Sequence, residues 1–250
     1  MFEFQSQLIF PTHAVPRAGP WPAGAERLTL TTPDGHELAG IHIAADTPSK
    51  RPTLILGFGG NAWNGQDVAE YLHEVFPDEE VVAFHYRGYA PSTGTPSAEA
   101  LIGDAPLIYD LAVERLKPNR IIAVGFSIGS GVAAQLAAAR KLDGLILVTP
   151  FDSLRAVAQS IYPWLPIGPF FEHEIDAASA LERLHVPVAI IAAERDEIVP
   201  AARTDALRRR VPELVFNRTI AGAGHNDIYA RSDFQEAMRE ALSAVVGAAR

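Results

Sequence analysis

The chain has 250 residues, of which 48% are apolar, carries a formal net charge of −9 at pH 7 and contains no cysteine. This length and apolar fraction suit a single globular domain with a large core. An acidic chain repels nucleic-acid phosphates and anionic lipid, so neither kind of partner is expected. The absence of cysteine excludes disulfides, zinc–thiolate sites and a cysteine nucleophile. With no basic-then-apolar signal pattern at the start and no apolar run long enough to span a bilayer, we expect a soluble cytoplasmic protein.

The first part of the chain predicts an irregular lead-in followed by a hairpin. Residues 1–25 contain four prolines and two glycines, and proline removes backbone donors and fixes φ. Residues 26–31 and 36–43 have the composition of strands and flank an Asp-Gly pair at positions 34 and 35. A strand, an Asp-Gly turn and a second strand predict an antiparallel β-hairpin.

From residue 53 onward, short apolar runs alternate with stretches of helical spacing. Continuous apolar strands that alternate with helices indicate a parallel sheet covered on both faces. We therefore predict an α/β fold with a mostly parallel eight-stranded sheet and an antiparallel N-terminal hairpin. The further strands are predicted at residues 53–56, 81–86, 120–124, 144–148, 186–193 and 213–220, and the helices at 66–76, 97–116, 128–140, 201–210 and 233–248, with Pro106 expected at a helix start or a kink.

One long interruption separates a strand from the next helix. Residues 150–171 include seven large apolar side chains between Ile161 and Phe171 but also several prolines, which is too irregular for a regular helix and too apolar for a solvated loop. We interpret residues 150–175 as a short cap insertion. Its Trp164 and Phe170, together with Phe58 and Trp63, are candidates for an apolar substrate pocket. The alternative is that the apolar residues of the insertion only close the core beneath a long connection.

The main chemical motif is Gly125-Phe126-Ser127-Ile128-Gly129, which matches G-x-S-x-G. A predicted strand precedes it and an alanine-rich helix follows it. A serine on such a sharp strand-to-helix turn projects beyond the edge of the sheet, and the helix N-terminus aims backbone N–H groups at a developing oxyanion. We therefore predict Ser127 as a nucleophile rather than part of an ordinary glycine-rich turn.

A serine nucleophile needs a base and an acid, in the chain order Ser, Asp or Glu, His. His225 lies in a glycine-rich loop after the last predicted strand, which makes it the candidate base. The loop after the preceding strand carries Glu194, Asp196 and Glu197. We favour Asp196 as the acid because it lies past the strand end, although surface pairing of these carboxylates with arginines is an alternative.

An oxyanion hole needs two backbone donors. One is expected from Ile128, the residue after the nucleophile. The other is expected from the glycine-containing loop at residues 57–62, where small residues let the backbone curl around a carbonyl group. A plain loop is the alternative interpretation of that segment.

Together these residues resemble the small-lidded α/β-hydrolases, namely bacterial esterases and eukaryotic depalmitoylase-like proteins. The resemblance covers nearly the whole chain and is specific for the superfamily, but much less so for a substrate. It is carried by the Pro-rich lead-in, Asp34-Gly35, Gly60-Asn61-Ala62-Trp63-Asn64, Tyr86-Arg87-Gly88-Tyr89, Gly125-Phe126-Ser127-Ile128-Gly129, Asp196 with Val199-Pro200, and Gly224-His225.

The resemblance implies that Ser127, Asp196 and His225 form a catalytic triad and that Asn61 and Ile128 supply the oxyanion N–H groups. Two positions depart from the family pattern. Gly59 stands where a histidine usually braces the oxyanion loop, which leaves Phe58 and Gly60 as alternative donors, and Ala90 stands where Tyr-Arg-Gly-Tyr is usually followed by glycine. We expect Arg87 and Asp104 to be structural, as a pair.

The sequence therefore predicts a serine hydrolase that acts on small-molecule carboxylic esters or thioesters and needs no cofactor or metal. A peptidase of the prolyl-peptidase type, acyl transfer to an acceptor other than water, and a non-catalytic ligand-binding member of the fold are the alternatives. Neither the substrate nor the oligomeric state follows from the sequence.

Overall fold

The computed structural model describes residues 2–161, 163 and 171–249. The strands are β1 (Glu26–Thr31), β2 (Glu37–Ile43), β3 (Thr53–Phe58), β4 (Glu80–Phe84), β5 (Arg120–Phe126), β6 (Gly144–Val148), β7 (Val188–Ala193) and β8 (Leu214–Ile220). The α-helices are α1 (Phe2–Ile9), α2 (Gly65–Val75), α3 (Ala98–Leu116), α4 (Ile128–Ala139), α5 (Leu154–Ile161), α6 (Ala177–Leu181), α7 (Ala201–Arg208) and α8 (Ser232–Ala248). The strands form one eight-stranded sheet in the order β1-β2-β4-β3-β5-β6-β7-β8, which confirms the predicted fold class.

The chain divides into two compact units, residues 1–123 and 124–250, and the single domain expected from the sequence stays a prediction. In the first unit, β1 and β2 form the predicted antiparallel hairpin, with Thr31 opposite Glu37. Its turn contains Gly35 at φ +88°, a conformation that glycine adopts without the strain of a Cβ atom. β2 pairs antiparallel with β4, and β4 pairs parallel with β3.

The second unit contains the parallel strands β6, β7 and β8. Every residue of β6 and β7 is buried, and α4 and α8 both pack against β6, while α8 also contacts β7 and β8. A strand that is buried along its whole length must be covered on both faces, which explains why these segments are continuously apolar rather than alternating.

Two sequence-based expectations about helices were wrong. The lead-in is not irregular throughout, because α1 occupies Phe2–Ile9. The stretch that begins at residue 150 does contain a regular helix, α5, whose one buried residue is Val157. Of the two alternatives for Pro106, a helix start is excluded, because Pro106 lies inside α3, and a kink there stays a prediction. The helix begins at Ala98, where the Ser97 side chain accepts a hydrogen bond from the Ala100 N–H. Within the described residues, no helix combines the length and the hydropathy that crossing a bilayer requires.

Arg87 and Asp104 form the predicted structural pair in the first unit. Arg87 donates from Nε to Asp104 Oδ2 at 3.0 Å and from Nη2 to Oδ1 at 2.6 Å, a two-pronged arrangement. Burial raises the pKa of the Asp104 carboxyl, and the Arg87 guanidinium opposes that shift. The same guanidinium reaches Asp34 at the hairpin turn, so it joins α3 to the turn between β1 and β2.

We expect Arg87→Met to destabilise the protein by about 3–5 kcal/mol, because it leaves the buried Asp104 carboxylate without a partner. The double variant Arg87→Met/Asp104→Leu should lose less stability, since no unpaired charge remains. Urea unfolding followed by circular dichroism measures both losses. A double variant that is less stable than Arg87→Met alone would contradict the assignment of the loss to an unpaired charge.

Candidate active site

Ser127 lies on the sharp turn between β5 and α4. Its φ is +51° and its ψ is −117°, a conformation that residues other than glycine rarely adopt. The Ser127 N–H donates to the Val148 carbonyl of β6 at 2.9 Å, and its carbonyl accepts from the N–H and the hydroxyl of Ser130. These bonds hold the strained backbone, so the side chain projects beyond the strand end, as the motif predicts.

Gly125 has a packing role in the turn. A Cβ atom at position 125 would lie 2.3 Å from the Gly129 carbonyl oxygen, which is backbone and cannot rotate away. The absence of a side chain at Gly125 therefore lets α4 start directly against the end of β5.

His225 lies in the loop that follows β8. Its Nε2 is 3.0 Å from the Ser127 Oγ, and its side chain is 5% exposed. The fold of the second unit thus brings His225, the candidate base, into contact with Ser127, the candidate nucleophile, although the two are 98 residues apart in the sequence. A neutral imidazole at this distance can accept the hydroxyl proton through Nε2.

Asp196 is the carboxylate that meets the imidazole. Its Oδ2 is 2.8 Å from His225 Nδ1, and its Oδ1 accepts from the N–H groups of Ile198 at 2.9 Å and Val199 at 2.7 Å. The two backbone donors hold the carboxylate in place and the histidine donates Nδ1–H to it, which leaves Nε2 free to face the serine. The other two candidates, Glu194 and Glu197, accept hydrogen bonds from backbone N–H groups of the His225 loop instead.

Two residues around this arrangement were not found from the sequence. Thr149 follows β6, is buried and has φ +46°, and its hydroxyl donates to the same Val148 carbonyl that accepts the Ser127 N–H. Tyr229 packs edge-on against Phe126, the residue before Ser127, with ring centroids 5.8 Å apart. Burial raises the pKa of the Tyr229 phenol, so the ring is a neutral support under the turn. A β-branched residue at positive φ leaves no pattern in a sequence, which is why Thr149 was missed.

The two expected oxyanion donors lie on different elements. Ile128 is the first residue of α4, where backbone N–H groups have no intrahelical acceptor and are available to an anion. Asn61 follows β3 in the first unit, where its side chain donates to the Ile9 carbonyl at 3.1 Å. The donor role of Asn61, and the alternatives Phe58 and Gly60, stay predictions.

Two tyrosines brace the loop in which the family usually has a histidine. The Tyr86 hydroxyl donates to the Gly59 carbonyl at 2.7 Å, and the Tyr89 hydroxyl donates to the Asn61 carbonyl at 2.5 Å. A side chain at Gly59 would meet Val68 at 2.7 Å. The loop therefore has supports of its own, and the Tyr-Arg-Gly-Tyr segment supplies them.

Comparison with known proteins assigns the chain to a protein family. The model of the alpha/beta hydrolase fold family matches residues 54–173. An uncharacterized protein of Mycobacterium tuberculosis is 31% identical over 233 residues, which cover 89% of this chain and 81% of that protein. The chain belongs to the α/β-hydrolase family.

Other relatives of this α/β hydrolase have named activities. Mouse lysophosphatidylserine lipase ABHD12 is 30% identical over 230 residues, which cover 79% of this chain and 57% of the lipase. This chain therefore spans little more than half the length of that relative. Among solved structures, the esterase Pf2001 of Pyrococcus furiosus has a TM-score of 0.71 at 20% identity, covering 92% of this chain and 96% of its own. An alpha-beta hydrolase from Vibrio vulnificus has a TM-score of 0.74 at 17% identity, covering 98% and 93%. At these identities the two structures show the fold alone.

The residues predicted to line a substrate pocket have different surroundings. Phe58 is 2% exposed at the end of β3. Trp63 is half-buried, and its ring centroid lies 5.5 Å from that of Tyr71. Trp164 and Phe170 lie outside the described residues, as does most of the centre of the predicted cap. The pocket therefore stays a prediction.

Gly125→Ala should destabilise this α/β hydrolase by about 1–3 kcal/mol, because the new methyl group must push the Gly129 backbone away. It should also slow any reaction of Ser127. Gly247→Ala in α8 is the matched control, since a Cβ atom there meets nothing within 4 Å. That change should be neutral or stabilising by up to about 1 kcal/mol. Thermal unfolding of both variants tests this, and equal stability of the two would contradict the packing argument.

Proposed function

We propose that this α/β hydrolase is a serine hydrolase that cleaves carboxylic ester or thioester bonds through an acyl-enzyme intermediate. The observation that carries the proposal is the 3.0 Å distance between Ser127 Oγ and His225 Nε2, with Asp196 on the other imidazole nitrogen. Family membership supports a hydrolase. The lipase activity of the ABHD12 relative favours an ester or thioester over other substrates.

In the first half of the reaction, His225 Nε2 takes the hydroxyl proton as Ser127 Oγ attacks the substrate carbonyl carbon. Asp196 stabilises the imidazolium that forms. The Ile128 N–H, at the start of α4, donates to the developing oxyanion. When the tetrahedral intermediate collapses, the leaving alcohol or thiol takes the proton from His225, and the acyl group stays on Ser127.

In the second half, water replaces the alcohol or thiol. His225 takes a proton from that water as the oxygen attacks the acyl carbon, and the serine leaves with the proton returned to its oxygen. Both halves use the same three side chains of the second unit, and neither requires a cofactor. We also propose the cytoplasmic location that the sequence predicts.

Covalent labelling by a fluorophosphonate probe tests whether Ser127 is an active nucleophile. We expect the wild type to be labelled and Ser127→Ala not to be labelled, because the probe reacts with an activated serine hydroxyl. His225→Ala should lower the turnover of an ester by a factor on the order of 10⁴ or more, since no base then remains. His185, which is exposed, provides the control His185→Ala, which should leave turnover unchanged. A folded wild type that resists labelling would favour the non-catalytic, ligand-binding alternative.

A substrate panel tests the bond that is cleaved. We expect p-nitrophenyl esters of rising acyl length to be hydrolysed, and aminoacyl-p-nitroanilides to be much poorer substrates, because an ester has the better leaving group and the relatives cleave esters. Initial rates at matched concentrations give kcat/KM for each compound. A higher kcat/KM for the anilides would replace the esterase assignment with a peptidase of the prolyl-peptidase type.

A further inference from the structure

Four consecutive residues of one turn bind the loop that carries His225. We call residues 194–197, directly after β7, the acid turn, and residues 221–225, directly after β8, the base loop. The last paired residues of the two strands are Ala193 and Ile220, so both segments leave the sheet side by side. Two hydrogen bonds join the first halves of these segments: the Gly222 N–H donates to Glu194 Oε2 at 2.7 Å, and the Arg195 N–H donates to the Ala223 carbonyl at 2.8 Å. Two more reach His225: its Nδ1 is 2.8 Å from Asp196 Oδ2, and its backbone N–H donates to Glu197 Oε2 at 3.1 Å.

From this arrangement we infer that Glu197 is a positioning residue for the base, an inference that rests on the proposed function. Asp196 holds the imidazole ring of His225, and Glu197 holds its main chain. Two adjacent carboxylates of one turn therefore determine both where the His225 backbone sits and how its ring is oriented. A hydrogen bond from a backbone N–H to an ionised carboxylate is stronger than one to a neutral acceptor.

Gly224 provides an independent observation for this role. A Cβ atom at position 224 would lie 2.9 Å from Glu197 Oε2, and its other neighbours are no closer than 3.6 Å. The φ of Gly224 does not lie in the positive range, so its backbone conformation does not require glycine. A Cβ atom at position 224 would therefore have to displace the end of the Glu197 side chain, which is the part that accepts the His225 N–H.

The surroundings of Glu197 make it suitable for a clean test. The residue is exposed, so replacing it opens no cavity in the core. Asp196 still binds the imidazole ring when Glu197 is replaced, but the base loop loses the hydrogen bond from the His225 N–H to the Glu197 carboxylate. A small displacement of Nε2 from the 3.0 Å contact with Ser127 slows proton transfer, and a shift of 1 Å can cost roughly 100-fold in rate.

The test compares Glu197→Met, which keeps the length of the side chain but accepts no comparable hydrogen bond, with Glu197→Gln, which keeps an oxygen acceptor. We expect Glu197→Met to lower kcat for p-nitrophenyl acetate about tenfold with little change in KM, because the base is displaced while the binding groups are intact. Glu197→Gln should restore most of that loss. Glu236→Met, at an exposed glutamate of α8, is the matched control and should behave as the wild type.

The rate of fluorophosphonate labelling separates failure of this inference from failure of the proposed function. If the folded wild type is not labelled, the proposed function is wrong and the inference falls with it. If the wild type is labelled and Glu197→Met is labelled equally fast, Ser127 is active but Glu197 has no positioning role. Slower labelling of Glu197→Met, with recovery in Glu197→Gln, supports the inference.

A double-mutant cycle covers the case in which Glu197→Met unfolds. Gly224→Ala should slow labelling in the wild-type background, because the new methyl group displaces the carboxylate. In a Glu197→Ala background the same change should have little further effect, since the space beside position 224 is then empty. Equal slowing in both backgrounds would overturn the inference.

Discussion

The position of the Ser127 hydroxyl depends on where β5 ends. The Ser127 N–H still donates to the Val148 carbonyl, as the next rung of a strand ladder would, but its φ of +51° turns the chain out of the sheet at that residue. Such a conformation in a residue other than glycine costs on the order of 1–3 kcal/mol. It persists because the buried strand before it and the buried start of α4 after it leave the backbone no alternative path.

A residue with positive φ also follows the neighbouring strand, β6. Thr149 follows β6 as Ser127 follows β5, and both residues have positive φ. Thr149 is buried, and its hydroxyl donates to the Val148 carbonyl, so this one oxygen accepts from the Ser127 N–H and from the threonine hydroxyl. Two strained residues thus share one acceptor at the edge of the sheet. Strain of this kind collects at functional sites, where the surrounding packing determines a conformation that the local sequence does not prefer.

Much of the fold could be predicted because continuous apolar runs mark buried strands. β1 and β6 were predicted with the bounds that the structure has, and the other strands within two residues at each end, because turn-forming residues or helices border each run. The errors came from proline. Prolines near α1 and α5 were interpreted as signs of irregular chain, whereas Pro11 follows α1 and Pro150 precedes α5. Proline disfavours a helix only locally, so it can border a helix, and Pro106 even lies inside α3.

The candidate site was predictable to the level of its loops, and position in the loop favoured Asp196 among the carboxylates without showing its contacts. Ser127 and His225 follow from a motif and from chain order, because parallel strands bring their carboxyl ends to one edge. Glu194, Asp196 and Glu197 share one turn, and sequence position alone does not say which of them faces the ring. That depends on which way each side chain leaves the turn, which the structure determines through the N–H groups of Ile198 and Val199.

The pairing of β7 with β8 gives the physical reason why Asp196 and His225 lie together. The ladder between the two strands runs to Ala193 and Ile220, and the Glu194 N–H still donates to the Ile220 carbonyl at 3.1 Å. The hydrogen bonds beyond that point therefore continue a rigid sheet rather than joining two free loops. Because β7 is buried and stays paired with β8 up to Ala193 and Ile220, the main chains that lead to Asp196 and His225 leave the sheet next to each other. Side-chain contacts then need only to orient the imidazole, which is a smaller entropic cost than bringing two mobile loops together.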